Sequence, residues 1–263
     1  QGEPKQKLLA HYGGSTASEH AVALALEWLA RKQDANTGAW SMVDGEGVKD
    51  VNRSAATGLA LMAIQGAGNT HTQGRYRENV AKAWKFIFSK QTDDGNLSGG
   101  ARSPSLTAHT QCLIALSEAY GMTGDEKFLA PANKAIAFCV TSQHQLGGWR
   151  DFVDSDGKCH DSATAETGWV TMALYTAKAA GLDVPDRVFQ NVGEYLDRFN
   201  IEGGSRYTHE WGDERENATM TAHGLFMRLH LGWNKDDPRL LKGADFLISK
   251  PPNVADRDVY YWF

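Results

Sequence analysis

Apolar and polar positions fall along this chain in long blocks of two kinds, and the two kinds alternate. Blocks of the first kind mix charge with apolar residues at helical spacing. In residues 76–91, Val80, Ala83, Trp84 and Ile87 form one stripe while Arg77, Lys82, Lys85 and Lys90 lie largely off it. That pattern predicts a surface helix with one buried face. It returns near residues 19–33, 128–143, 186–200 and 239–249. Blocks of the second kind are almost free of charge. Residues 54–68 and 105–117 carry none, 164–177 only Glu166, and 221–230 only Arg228. A helix apolar nearly all round must be covered nearly all round. Half-wetted and covered helices taking turns predict an outer and an inner layer of antiparallel hairpins, closed as a barrel or open as a solenoid. Period-2 alternation is scarce, so the expected fold class is all-α.

Two markers repeat with the blocks. The first is an aromatic residue, a glutamine and a Gly-rich turn: Trp28, Gln33 and Gly38-Ala39-Trp40; Phe86, Gln91 and Gly95-Asn96-Leu97; Phe138, Gln143 and Gly147-Gly148-Trp149. A looser copy is Tyr195, Asn200 and Gly203-Gly204. The second marker is Ser54-Ala55-Ala56, Thr107-Ala108-His109, Thr164-Ala165-Glu166 and Thr221-Ala222-His223, at intervals of 53, 57 and 57 residues. Two unrelated markers keeping nearly one period define an internal repeat. It divides the chain into an arm at 1–16, hairpins at about 17–70, 71–124, 125–182 and 183–234, and a partial fifth at 235–263. The expectation is one domain of about four and a half hairpins, the next inner helix being due roughly 10–15 residues beyond Phe263. Ser54, Ser105, Ser162 and Thr219 are the expected N-caps of the inner helices.

The first marker resembles the QW-type repeat of the squalene–hopene cyclase and protein prenyltransferase β-subunit superfamily, over about 12–262. Residues 27–33, 119–125, 167–174, 219–225 and 260–262 carry a further likeness to bacterial squalene-cyclase-like proteins of unassigned reaction. The resemblance implies an α/α toroid whose ligand cavity opens at the inner-helix N-termini, with Trp40 and Trp149 bracing one repeat against the next. It does not carry over the chemistry. The cyclases protonate a polyene with a DxDD motif, whereas Asp154-Ser155-Asp156-Gly157 lacks the adjacent aspartate and reads as a turn. The prenyltransferases bind zinc through Asp-x-Cys and a histidine. Alignment on Trp169 puts Ala163 and Ala165 at the first two positions, leaving His223 alone.

Candidate chemistry gathers where the inner helices begin. The third residue of the second marker is Ala56, His109, Glu166 and His223 in turn. Equivalent positions on successive inner helices share an orientation, so His109, Glu166 and His223 are expected to face one hollow. There Glu166, with Asp161, can serve as acid or base while the histidines polarise a substrate. The same trio also has the composition of a two-histidine, one-carboxylate metal set, and equally of helix caps or buried polar pairs. In Cys159-His160-Asp161 the cysteine is either an activated thiol or part of an exposed loop. Lys158 spoils the calcium-loop reading of Asp154-x-Asp156-Gly157. Trp169, Tyr207 and Trp211 are candidate ligand-stacking faces. Arg102, Arg150 and Arg206, with Arg53, are candidates for holding an acidic glycan. His209 and Glu210 share the longer fourth loop with Tyr207 and Trp211. Asn-x-Ser/Thr triplets at Asn52, Asn96 and Asn217 are common by chance.

Composition narrows the classes. The 263 residues are 41% apolar and 22% charged, with a net charge of −5. That supplies a sizeable core, and the acidic balance argues against nucleic acid as a partner. No apolar run reaches the ~18–20 residues of a membrane span. Three cysteines are too few for a disulfide scaffold. The start at Gln1 and the resemblance together give export to a periplasmic or extracellular setting as the expectation. The leading expectation is a toroid that binds a small-molecule, lipid or glycan ligand in its central cavity, without a cofactor. The rivals are an enzyme (glycan or lipid lyase or hydrolase, or isoprenoid cyclase or transferase) and a protein-interaction module.

Overall fold

A computed structural model describes residues 11–43, 52–99, 105–209, 212 and 215–251. The described residues are mainly helical. Outer helices are α1 (Thr16–Lys32), α3 (Arg77–Lys90), α5 (Leu129–Ser142), α7 (Asp186–Phe199) and α9 (Pro238–Ile248). Inner helices are α2 (Arg53–Gly66), α4 (Leu106–Thr123), α6 (Thr164–Ala179) and α8 (Ala218–His230). Two short strands, β1 (Asn200–Ile201) and β2 (Arg206–Tyr207), pair antiparallel in the fourth turn.

The layers are those the charge pattern predicts. The charge-free block in α4 is buried along most of its length, including Leu106, Cys112, Leu113, Leu116 and Ala119, whereas α1 has no buried residue. Inner helices pack in the order α2, α4, α6, α8, each against the outer helix that follows it in the chain. Among the described residues, α8 and α9 make no sustained contact with α1 or α2, so this part of the inner layer is an arc. Close approach of α2 to α4 depends on Gly58, where a Cβ would lie 2.9 Å from the Cys112 nitrogen.

The repeated glutamines join neighbouring outer helices. Gln33 Nε2 donates to Gly38 O (2.8 Å) and to Asn79 O on α3 (2.9 Å). Gln91 donates likewise to Gly95 O and Pro131 O, and Gln143 to Gly147 O and Val188 O. Each amide thus closes its own turn and holds the next outer helix. Trp40 and Trp149 donate through Nε1 to Leu29 O and Cys139 O, which pins each turn to its own outer helix.

Backbone bonding corrects the register of the second marker. The backbone N–H of Trp40, Leu97, Trp149 and Tyr207 donates to Thr57 Oγ1, His109 Nδ1, Thr167 Oγ1 and Thr221 Oγ1 respectively. The equivalents of His109 are therefore Thr57, Thr167 and Thr221, not Ala56, Glu166 and His223. Caps shift too. Ser105 caps α4 as expected, but Asn52 and Asn217 cap α2 and α8, and α6 starts after Ala163 without a side-chain cap. Two of the three Asn-x-Ser/Thr asparagines are thus helix caps, and the third, Asn96, is buried.

Candidate functional site

The segment 149–152 is fastened across the starts of two inner helices by bridges of Trp149 to Ala163 and Ser105 to Phe152. Asp151 sits in this segment. Its carbonyl accepts from the Leu106 amide (2.7 Å), and its carboxylate accepts from Ser105 Oγ (3.0 Å) and the Thr107 amide (2.9 Å). It thereby satisfies first-turn donors of α4. Beside it Arg150 pairs with Asp161 at 3.2 Å. The Thr164 amide donates to His209 O (3.1 Å), which brings the fourth loop over the start of α6.

Glu166 lies in the first turn of α6, among these groups. Burial raises its pKa above the ordinary carboxylate value; a hydrogen bond from its own backbone amide and the charges of His209 and Arg150 oppose that rise, while Asp151 adds to it. Its Oε2 is buried without a hydrogen-bond partner. Ser162 Oγ next to the same helix start, and Asn96 Nδ2 and Ser98 Oγ in the second turn, are likewise buried and unpartnered. A buried polar atom left unpaired costs about 1–3 kcal/mol, so such atoms mark places where a ligand or water completes the bonding.

The three residues expected to converge do not form one site. His109 is fully buried, turned from the inner layer toward α5: Nδ1 accepts from the Leu97 amide (3.0 Å), and Nε2 donates to Ala135 O (3.1 Å). Both ring nitrogens are spent on structure, and desolvation lowers its pKa to about 4. His223 lies against Gly168, where a Cβ would come within 2.3 Å of Nδ1, so it packs in the α6–α8 seam. Among the described residues no three His, Cys, Asp or Glu side chains are placed to hold a metal ion.

Other candidates divide similarly. Tyr207 is fully buried; its hydroxyl donates to Gly204 O and accepts from Arg228 Nε, making it the turn aromatic of the fourth repeat and not a ligand face. Trp169 lies in the core cluster. Arg206 pairs with Glu216 and lies over the Phe246 ring, its guanidinium carbon 4.4 Å from the centroid. Arg53 is tied to Asp34. Cys159 is buried and its thiol is pushed up to about 11 by desolvation, so it is no activated nucleophile; His160 turns to Asp156 at 2.8 Å. Arg102 and Trp211 lie outside the described residues, as does Glu210. Glu166, Asp161 and Arg150 remain at the rim, joined by Asp151 and His209. Asp151 had a sequence signal, an acid following the turn aromatic and an arginine, but its importance rests on the neighbouring helix start that it caps.

Fold and site together define the class: an all-α, α/α-toroid protein with a polar, incompletely bonded rim at the inner-helix N-termini. A family model described as pectic acid lyase matches residues 105–181, the stretch that contains α4, α5, α6 and the Asp151, Arg150, Asp161 and Glu166 group. Among solved structures, a glycosyl hydrolase of family 88 from Bacteroides vulgatus matches with TM-score 0.62 and 12% identity, over 91% of this chain and 75% of that one. A polysaccharide lyase matches with TM-score 0.58 and 12% identity, over 89% and 72%. A type II terpene cyclase from Scytonema, in complex with geranylgeranyl dihydroxybenzoate, matches with TM-score 0.55 and 16% identity, over 90% of this chain. The chain spans 63% of that cyclase chain. No curated protein sequence matches. Likeness at these identities shows the shared fold and leaves chemistry to the site. No helix among the described residues is long and apolar enough to cross a membrane.

Proposed function

We propose that this chain binds an acidic glycan at the rim and cleaves it, with Glu166 as the proton donor to the departing sugar oxygen. The observation that carries the reading is the Glu166 carboxyl: sheltered, raised in proton affinity and with one oxygen unpartnered, close to Arg150 and to the unpartnered Ser162 hydroxyl at the same helix start. A carboxyl whose pKa is moved toward neutrality is suited to donate a proton near neutral pH. Arg150, facing Asp161 across 3.2 Å, is the group best placed to meet a sugar carboxylate. Unpartnered Ser162, Asn96 and Ser98 suit a ligand rich in hydroxyls and count against an isoprenoid chain.

The family-model match over residues 105–181 favours elimination over hydrolysis. In that reaction a base removes the proton on the carbon next to the uronate carboxylate. The bond from the neighbouring carbon to the glycosidic oxygen then breaks, and Glu166 protonates that oxygen as a double bond forms in the sugar. Incubation with polygalacturonate tests it directly. The expected products carry the ultraviolet absorbance of an unsaturated uronate, and Glu166→Gln loses turnover by roughly 100-fold or more while retaining glycan binding. Because the acid form is required, turnover falls as pH rises through the elevated Glu166 pKa. Binding without cleavage by the unmodified protein would replace this reading with a glycan-binding module. Full activity in Glu166→Gln would remove Glu166 from the reaction.

A further inference from the structure

The end of the inner layer away from the rim carries a second feature, independent of the glycan reading. There the last turns of α2, α4 and α6 surround a shallow cavity of about 570 Å³. Gln65 lines it and is only 2% exposed. Its Nε2 donates to Ala115 O (2.9 Å), but its Oε1 is buried without a partner. Beside it the half-buried Glu118 has its pKa raised by burial, partly offset by a hydrogen bond from Gln65. Ser117 and Thr176 also line the cavity. Their hydroxyls donate to Leu113 O and Met172 O in their own helices, so each presents lone pairs.

Every polar side chain along this lining therefore offers an acceptor, and no lysine or arginine contributes to it. The nearby Lys178, in the last turn of α6, turns instead to Asp186 on α7. Three helix C-termini add the negative ends of their dipoles. Such a site needs a ligand that brings donors and positive charge. Its walls are small, with Gly66, Gly121 and Ala179 leaving room for an alkyl chain.

From this arrangement we infer a binding site for a primary alkylammonium group, its head on Glu118 and Gln65 Oε1 and its chain along the small residues. Titration of the protein with n-pentylammonium chloride, followed in ¹H–¹⁵N spectra, tests the site. The expected result is saturable shifts of the Gln65 side-chain amide and of the Gly66 and Gly121 backbone amides, absent with n-pentanol. Glu118→Gln weakens binding about tenfold or more, as loss of a charge-assisted hydrogen bond demands. Gly66→Leu abolishes it by filling the cavity; a Cβ at Gly66 meets no atom within 4 Å, so the fold tolerates the change. Tighter binding of N-acetyl-lysine amide than of pentylammonium assigns the natural ligand to a lysine of a polypeptide, and weaker binding assigns it to a free amine. Equal shifts with pentanol, shifts that never saturate, or undiminished binding in Glu118→Gln would overturn the inference.

Discussion

Burial favours the uncharged form of both His109 and Glu166, but the two side chains stand in different bonding environments. His109 spends Nδ1 on the Leu97 amide and Nε2 on Ala135 O, and its pKa drops to about 4. In the unfolded chain the same ring takes a proton near pH 6.5. Between those values the unfolded state binds more protons, so stability falls as pH falls through that window, by roughly 3 kcal/mol in all. His109→Thr installs the side chain that the other three repeats use to accept the turn amide. It is expected to cost about 1–3 kcal/mol at pH 7, because Ala135 O loses its donor, and to remove most of the added loss at pH 5. Urea unfolding of both proteins at the two pH values measures this. Glu166, by contrast, keeps an unpartnered oxygen, and that difference separates a candidate reactive group from a structural one.

At the scale of elements, the glutamine and glycine of the first marker are coupled across repeats. Gln143 makes two donor bonds and accepts a third from Asn191 (2.8 Å), so Gln143→Ala removes one bond that closes its own turn and two that hold α7. The expected cost is about 2–4 kcal/mol, read by thermal or denaturant unfolding. Gly147 is more constrained: φ is +94° and a Cβ would lie 2.0 Å from Asn191 O. Gly147→Ala is expected to cost at least as much as Gln143→Ala in the same measurement. These couplings explain what the sequence disclosed. Layers and hairpins were legible because charge and its absence report exposure along a whole helix. The fine register was not, because the function shared by Thr57, His109, Thr167 and Thr221 is acceptance of one backbone N–H, which a threonine and a histidine perform alike. Caps were ambiguous for a related reason. Asn52 and Ser54, or Asn217 and Thr219, have similar capping chemistry two residues apart, and only the reach of the side chain decides between them.

Across the whole molecule, burial is unequal. Inner helices α4 and α6 have neighbours on both flanks, while α1 contributes no buried residue. Hydrogen exchange is therefore expected to be slowest along α4 and α6 and fastest in α1; comparable protection throughout would contradict the layered account. The same layering places Glu166, Arg150 and Asp151 together at one end of the inner helices, although they come from different local structures. Glu166, Asp161 and Arg150 could be picked out as candidates from residue type and position, whereas Asp151 gained meaning only from the helix it caps and His209 only from the loop that crosses α6. The most direct measurement is a crystal structure of Glu166→Gln with a short galacturonate oligomer. The account predicts the sugar at the inner-helix N-termini, a carboxylate on Arg150 and a glycosidic oxygen within hydrogen-bond reach of residue 166. An oligomer bound elsewhere, or none bound by a protein that cleaves the polymer, would contradict it.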